Sequence, residues 1–192
     1  MRATEALGQC ANVAAVRGWE GTLARQYYPW LAMQHPEWGE WRGRIQHDGL
    51  PDALNALLNY GYALLRSRVE LAVRAQGLDP YLGILHAANG RHTALVSDFI
   101  EPLRAHVERL VLRLLGLKQI RSEHLDESAR GVLLTSAARQ VYIQSFANLA
   151  HQTGRSGLLS QLEALVRSYR ESITQNTLVA WHPQLEAGSE NA

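Results

Sequence analysis

Four side chains with metal- or proton-handling chemistry stand close together in the middle of this sequence. His86 ends the apolar run "GIL". Asp98 and Glu101 follow three residues apart in "SDFIEPLR", and Arg104 lies three further on. Positions three apart share one face of a helix, so the two carboxylates and the guanidinium would point the same way. Two carboxylates on one face repel unless a positive group lies between them. An arginine could serve, and so could a divalent cation. Carboxylate oxygens suit Mg²⁺ or Mn²⁺, and one imidazole biases a site toward Mn²⁺ or a softer metal. Spacing alone leaves both readings open, because acid pairs at this interval are also common on solvated helix faces. A further carboxylate lies upstream. In "RGWEGTLARQYY", Glu20 sits between Trp19 and Gly21, with Arg25 five residues on. A carboxylate in so apolar a stretch needs a partner if it is buried.

The elements that must position these residues read as helices. Pro51 and Asp52 open a long one, with Leu54, Leu57, Leu58, Leu65, Val69 and Ala72 on one face; it runs to about Gln76 and Gly77 closes it. "LDPYLGILH" is extended or irregular, and Asn89-Gly90 is a turn. Thr93 can cap the next helix, and Pro102 should kink or restart it. Leu103, Val107, Leu110, Val111 and Leu114 continue the apolar seam. Residues 117–132 are polar and broken, with room for a short hairpin. "LLTSAARQVYIQSFANLAHQ" and "GLLSQLEALVRSYRESITQNTLVAWHP" are two more amphipathic helices, parted by Gly154. Upstream, Gly18 is expected to interrupt the first helical stretch and Pro29 to end the second. Gln34–Pro51, rich in Trp, Gly, Pro and His, reads as a loop. The total is six or seven helices, an all-α class, with the apolar stripes of 51–76 and 156–178 facing a common core. Asn55 and Asn59, on the long helix, are either satisfied polar groups or site residues.

Composition sets outer bounds. The chain has 192 residues, 46% hydrophobic, with net charge +1. That suits one globular domain. Bulk basicity does not announce nucleic acid, so DNA binding would need a local cluster of arginines. Only one of the 19 basic residues is a lysine, and arginine suits bidentate phosphate contacts. Cys10 is the only cysteine, which excludes a disulfide framework and fits a reducing, cytoplasmic setting. There is no signal-peptide pattern and no apolar stretch near the roughly 18 residues a membrane span needs. The tail "LEAGSENA" reads as disordered, giving a helical domain over 1–183 and a tail over 184–192.

Four stretches together resemble the CRISPR-associated integrase of spacer acquisition: "RGWEGTLARQYY", "LNALLNYGYALL", "GLDPYLGILHAANGRHTALVSDFIEPLR" and "GVLLTSAARQVYIQSF". The resemblance runs from about Val16 to Pro183. It implies a helical catalytic domain with one metal, Mg²⁺ or Mn²⁺, held by Glu20, His86 and Glu101, which should converge in the fold. Asp98 would be a water-mediated ligand or an orienter of the metal's ligands. Arg25 and Arg104 would neutralise phosphate charge in DNA, and Trp38, Trp41, Arg42 and Arg44 could also meet it. The implied reaction is phosphodiester transesterification, with a DNA 3′-hydroxyl or water attacking. Implied partners are DNA, a second copy of the chain, and the small ferredoxin-like CRISPR adaptation protein. The family's β-rich N-terminal domain is expected to be missing here, since Met1 stands only a few residues before the first helix. The competing readings are a non-catalytic helical module that binds DNA or a partner, and a transposon-borne integrase with the same site.

Overall fold

The computed structural model describes residues 12–39, 41–45, 50–86, 92–129, 131–152 and 157–177. Among them are six α-helices: α1 (Val13–Met33), α2 (Ala53–Ala75), α3 (Ala94–Ile100), α4 (Arg104–Gly116), α5 (Ser136–Ala150) and α6 (Leu158–Thr174). The strands are two, β1 (Leu125–Ser128) and β2 (Gly131–Leu134), paired antiparallel with Leu125 opposite Leu134 and Ser128 opposite Gly131. The all-α class holds, and the short hairpin falls where the broken stretch allowed one. Among the described residues no helix is long and apolar enough to cross a membrane.

The central helix is α2. Asp52 caps it, accepting the Asn55 N–H at 2.8 Å, and Gly77 follows its end at φ 71°, a left-handed conformation that glycine adopts without strain. Its buried face (Leu54, Leu57, Leu58, Leu65, Val69, Val73) joins one core with Leu95, Val96 and Phe99 of α3, Val107 and Val111 of α4, Tyr142 and Phe146 of α5, and Leu162 and Val166 of α6. The stripes of α2 and α6 thus do share one core. Gly61 lets the neighbours come close to α2. A Cβ there would overlap the Tyr142 hydroxyl and lie 2.5 Å from Val107 Cγ1.

Helix α1 corrects two expectations. It passes through both Gly18 and Pro29 without a break. Asn12 starts it by accepting the Ala15 N–H at 2.9 Å. Pro29 removes one intrahelical hydrogen bond, but Tyr28 and Leu31 beside it are buried in the core, and their packing holds the last turns in place. A third correction concerns Thr93. It stands at the N-cap of α3 but makes no side-chain cap; its Oγ1 accepts from Arg66 instead, at 3.0 Å. A fourth concerns α5. Leu133 and Leu134 belong to β2, and Thr135 caps the helix after them by accepting the Ala138 N–H at 3.2 Å. Pro102 acts as expected: a 3₁₀ turn, Glu101–Leu103, separates α3 from α4. The turn at Asn89-Gly90, Gly154 and the tail 184–192 lie outside the described residues.

Candidate functional site

Residues 79–86 have no regular hydrogen-bond ladder, so their position depends on α3. The Leu95 N–H donates to the Pro80 carbonyl at 3.0 Å. The stronger tie is Asp98, whose side chain is 3% exposed. Its Oδ2 accepts the Ile84 N–H and the Leu85 N–H at 3.1 Å. Its Oδ1 accepts the His86 N–H at 3.1 Å and faces His86 Nδ1 at 2.6 Å. Three backbone donors and an imidazole thus converge on one buried carboxylate, which offsets the cost of burying it. With a carboxylate as acceptor, Nδ1 is the donor, so the neutral ring presents its lone pair at Nε2. Gly83 makes room for this arrangement: a Cβ there would lie 2.5 Å from the His86 carbonyl, 2.7 Å from Ala94 Cβ and 2.9 Å from Asp98 Oδ2.

His86 faces a cavity of about 600 Å³ that Glu20, Glu101 and Arg104 also line, together with Arg44, Asn59, Tyr62, Arg66, His92 and Ser97. Of the residues singled out in the sequence for metal or phosphate, Glu20, His86, Glu101, Arg104 and Arg44 line this cavity; Asp98 stands behind His86, and Arg25, Arg42, Trp38 and Trp41 do not line it. Arg25 is exposed, does not line the cavity, and donates from Nε to the Gly21 carbonyl of its own helix at 3.2 Å. Five residues of helix turn it well away from Glu20. The shared cavity is not a closed ligand cage: among the described residues no three His, Cys, Asp or Glu side chains are grouped tightly enough to hold an ion as they stand. Two features account for this. Glu20 is exposed on α1, and Glu101 is engaged by Arg104, whose Nη1 lies 2.9 Å and 3.1 Å from its two oxygens.

Arg104 also donates to the Tyr28 hydroxyl and lies 5.7 Å and 5.0 Å from the Tyr28 and Tyr62 ring centroids. Burial opposes its charge, but Glu101 and the two tyrosines outweigh that and raise its pKa above the usual arginine range. Behind the tyrosines, buried Glu108 accepts from Tyr62 at 2.6 Å and from Tyr27 at 2.7 Å. Burial comes first in pushing both phenols up, followed for Tyr27 by the Glu108 hydrogen bond and charge and for Tyr62 by neighbouring Tyr28 and then Glu108. They stay neutral donors.

Loop 41–45 closes one end. Asn55, fully buried, donates to the Gly43 carbonyl at 2.8 Å and accepts the Ile45 N–H at 2.9 Å. Asn59 donates to the Ile45 carbonyl at 3.0 Å. Both asparagines accept from Arg44 Nη1, at 2.9 Å and 2.7 Å. They hold the loop, and through it Arg44. Trp38 and Trp41 pack against the chain's own core, Trp41 stacking on Tyr28 at 6.1 Å. Sequence reasoning does not single out Arg66, Tyr62 or His92. For the first two a signal is present: Asn59, Tyr62, Ala63 and Arg66 follow the i, i+3, i+4, i+7 pattern of one helix face.

Two carboxylates, an imidazole held through Nδ1 and a polar cavity are a donor set that fits Mg²⁺ or Mn²⁺. Fold and cavity define an all-α domain that gathers acidic, imidazole and guanidinium groups around one cleft. The family model described as CRISPR associated protein Cas1 matches residues 1–148, and the chain belongs to that family. It is 34% identical to CRISPR-associated endonuclease Cas1 1 of Archaeoglobus fulgidus over 134 residues, 67% of this chain and 39% of that protein. It is 38% identical to the Thermus thermophilus protein of the same name over 137 residues, 71% of this chain and 43% of that one. The chain thus spans about two fifths of the length of these relatives. Among solved structures, a CAS1 protein from Thermotoga maritima superposes with a TM-score of 0.82 at 23% identity, covering 98% of this chain and 59% of that one. A casposase bound to integration product superposes equally well at 24% identity, over 96% of this chain and 58% of that one.

Proposed function

We propose that the chain carries the catalytic centre of a metal-dependent DNA endonuclease and integrase of CRISPR adaptation, working by phosphodiester transesterification. The observation that carries this reading is the cavity shared by Glu20, His86 and Glu101, with His86 fixed from behind by buried Asp98. The named endonuclease relatives support the reaction class. Glu20, His86 and Glu101 would hold Mg²⁺ or Mn²⁺, which when bound polarises the scissile phosphate and stabilises the leaving oxygen. The chain's own groups do the rest. Asp98 keeps His86 in the tautomer that leaves Nε2 unprotonated. Arg104 orients Glu101 and stays charged beside the reacting phosphate, where it can offset developing negative charge. A DNA 3′-hydroxyl attacks in joining, and water attacks in cleavage. DNA is the proposed substrate; a second copy of the chain and the small ferredoxin-like adaptation protein are the proposed partners. Fold neighbours described as a Cas6-RT-Cas1–Cas2 complex support the presence of a protein partner.

The test is cleavage and strand joining on branched and duplex DNA, with Mn²⁺ or Mg²⁺ against EDTA. Metal-dependent products are expected from wild type. Glu20→Ala, His86→Ala and Glu101→Ala should each abolish them while the helical circular dichroism is kept. A wild-type chain that binds DNA yet forms no product with either metal would instead support the non-catalytic module.

A further inference from the structure

The three arginines that line the cavity among the described residues are not equivalent. Arg104 is neutralised by Glu101. Among the described residues, Arg44 and Arg66 have only neutral acceptors. Arg44 reaches the Asn55 and Asn59 amide oxygens and the Ile45 carbonyl, the last at 2.7 Å, and its buried Nε has no partner among the described residues. Arg66 donates to Thr93 Oγ1 at 3.0 Å and to Ser97 Oγ at 3.2 Å. No carboxylate among the described residues forms an ion pair with either one. Both guanidiniums are half-buried, where an unbalanced charge is poorly compensated by water and attracts an anion more strongly than it would on the open surface.

Their placement is ordered. Along α2, Arg44 is held at Asn55 and Asn59, and Arg66 lies seven residues beyond Asn59, about 10 Å of helix. Between them stands Tyr62, against which Arg104 packs. Across the cavity, Arg66 meets Thr93 at the N-cap of α3 and Ser97 midway along it, and Glu101 follows one turn later. The two unbalanced cations thus lie at the two ends of the Asn59–Arg66 stretch of α2, with Tyr62, and the Arg104–Glu101 pair packed on it, between them. Arg44 is also fixed against the Tyr28 and Tyr62 rings, 5.7 Å and 5.3 Å from their centroids. A guanidinium already immobilised loses little entropy on binding a phosphate.

The geometry points to Arg44 and Arg66 as a pair of phosphate-gripping residues that hold one DNA strand at two points, one on each side of Tyr62 and the Arg104–Glu101 pair. This rests on the DNA reading above; it moves the strand-holding role from Arg25 to Arg44 and Arg66, and leaves Arg104 with Glu101 at the reacting phosphate. The role is positional: the pair sets which phosphate lies against His86 and Glu101.

The experiment is binding of a short fluorescent single-stranded oligothymidylate in EDTA, followed by anisotropy across a salt series, with cleavage in Mn²⁺ measured in parallel. Removing one arginine that grips a phosphate of a single strand should flatten the slope of log K against log salt by about 0.7. Arg66→Gln can keep the bonds to Thr93 and Ser97, and it should flatten the slope by that amount with circular dichroism unchanged. Arg44→Gln should do the same. Arg44→Lys restores the charge and should restore the slope even if loop 41–45 shifts. In the double variant the slope should flatten by about 1.4. Arg25→Gln should leave the slope alone. A wild type that cuts DNA with Mn²⁺, alongside an Arg66→Gln variant of unchanged slope, overturns this inference and leaves the enzymatic reading standing. A wild type that neither binds nor cuts DNA overturns that reading and this inference with it.

Discussion

Asp98 accepts four hydrogen bonds: two N–H groups reach Oδ2, and one N–H and the His86 ring reach Oδ1. Asparagine has the same shape but only one acceptor oxygen. Its amide NH₂ would face two donors, leaving them buried and unpaired at about 1–3 kcal/mol each. Asp98→Asn should therefore loosen residues 84–86 and free the imidazole, while Glu20 and Glu101 stay where they are. Mn²⁺ affinity should fall by about 10–100-fold rather than vanish, and amide exchange at Leu85 and His86 should quicken. Calorimetric titration beside hydrogen-exchange mass spectrometry checks both. Unchanged exchange with unchanged affinity would show that Asp98 does not orient His86. The participants are legible in the sequence as residue types: His86, Asp98, Glu101 and Arg104 are all at the cavity or behind it. Their pairing is not. Helical spacing puts Asp98, Glu101 and Arg104 on one face, but it cannot say that Glu101 faces Arg104 while Asp98 turns back to a loop twelve residues upstream. That depends on how residues 79–86 fold over α3, and their backbone has no periodicity to read.

At the scale of elements, Gly61 decides how closely α2 can be approached. Alanine is favoured over glycine inside a helix by about 1 kcal/mol. Here the added Cβ would overlap the Tyr142 hydroxyl and crowd Val107 Cγ1. Neither neighbour can retreat, because both are fully buried and Tyr142 packs edge-on against Tyr60 at 5.3 Å. Overpacking costs about 1–3 kcal/mol, so strain should exceed propensity and Gly61→Ala should lower the urea midpoint. A raised midpoint would mean that α4 and α5 can move off α2 without penalty. The same element shows where pattern reading works and where it stops. The start, end and buried face of α2 follow from Asp52, Gly77 and the leucine spacing. Helix α1 does not follow from its sequence, since Gly18 and Pro29 are local breakers that the burial of Tyr28 and Leu31 overrides. Nor is a helix's second face marked by apolar residues: the stripe from Asn59 to Arg66 is polar, and only α3 and loop 41–45, which supply its opposite wall, make it part of a site.

For the molecule as a whole, His106 makes stability a function of pH. It is buried on α4, and its Nε2 lies 3.0 Å from Gln161 Oε1 on α6, so it joins two elements of the common core. Burial, the largest influence, lowers its pKa from the ordinary histidine value. Nearby Arg109 lowers it further, and the Gln161 hydrogen bond only partly opposes them. The unfolded chain therefore takes up a proton at a higher pH than the folded one. Between the ordinary value near 6.5 and the lower folded value, the unfolded state binds more protons, and stability falls as pH falls. The contribution is complete above about pH 6.5 and is lost as the pH drops through that window. Urea unfolding of the wild type should show a midpoint that declines from pH 7.5 to pH 5. His106→Gln can still donate to Gln161 but takes up no proton, so its midpoint should decline less over the same range, even if it starts lower at pH 7.5. The difference between the two curves isolates His106 from the carboxylates, which titrate in both proteins. Parallel curves would show that His106 binds its proton equally well folded and unfolded, and that the α4–α6 contact is indifferent to pH.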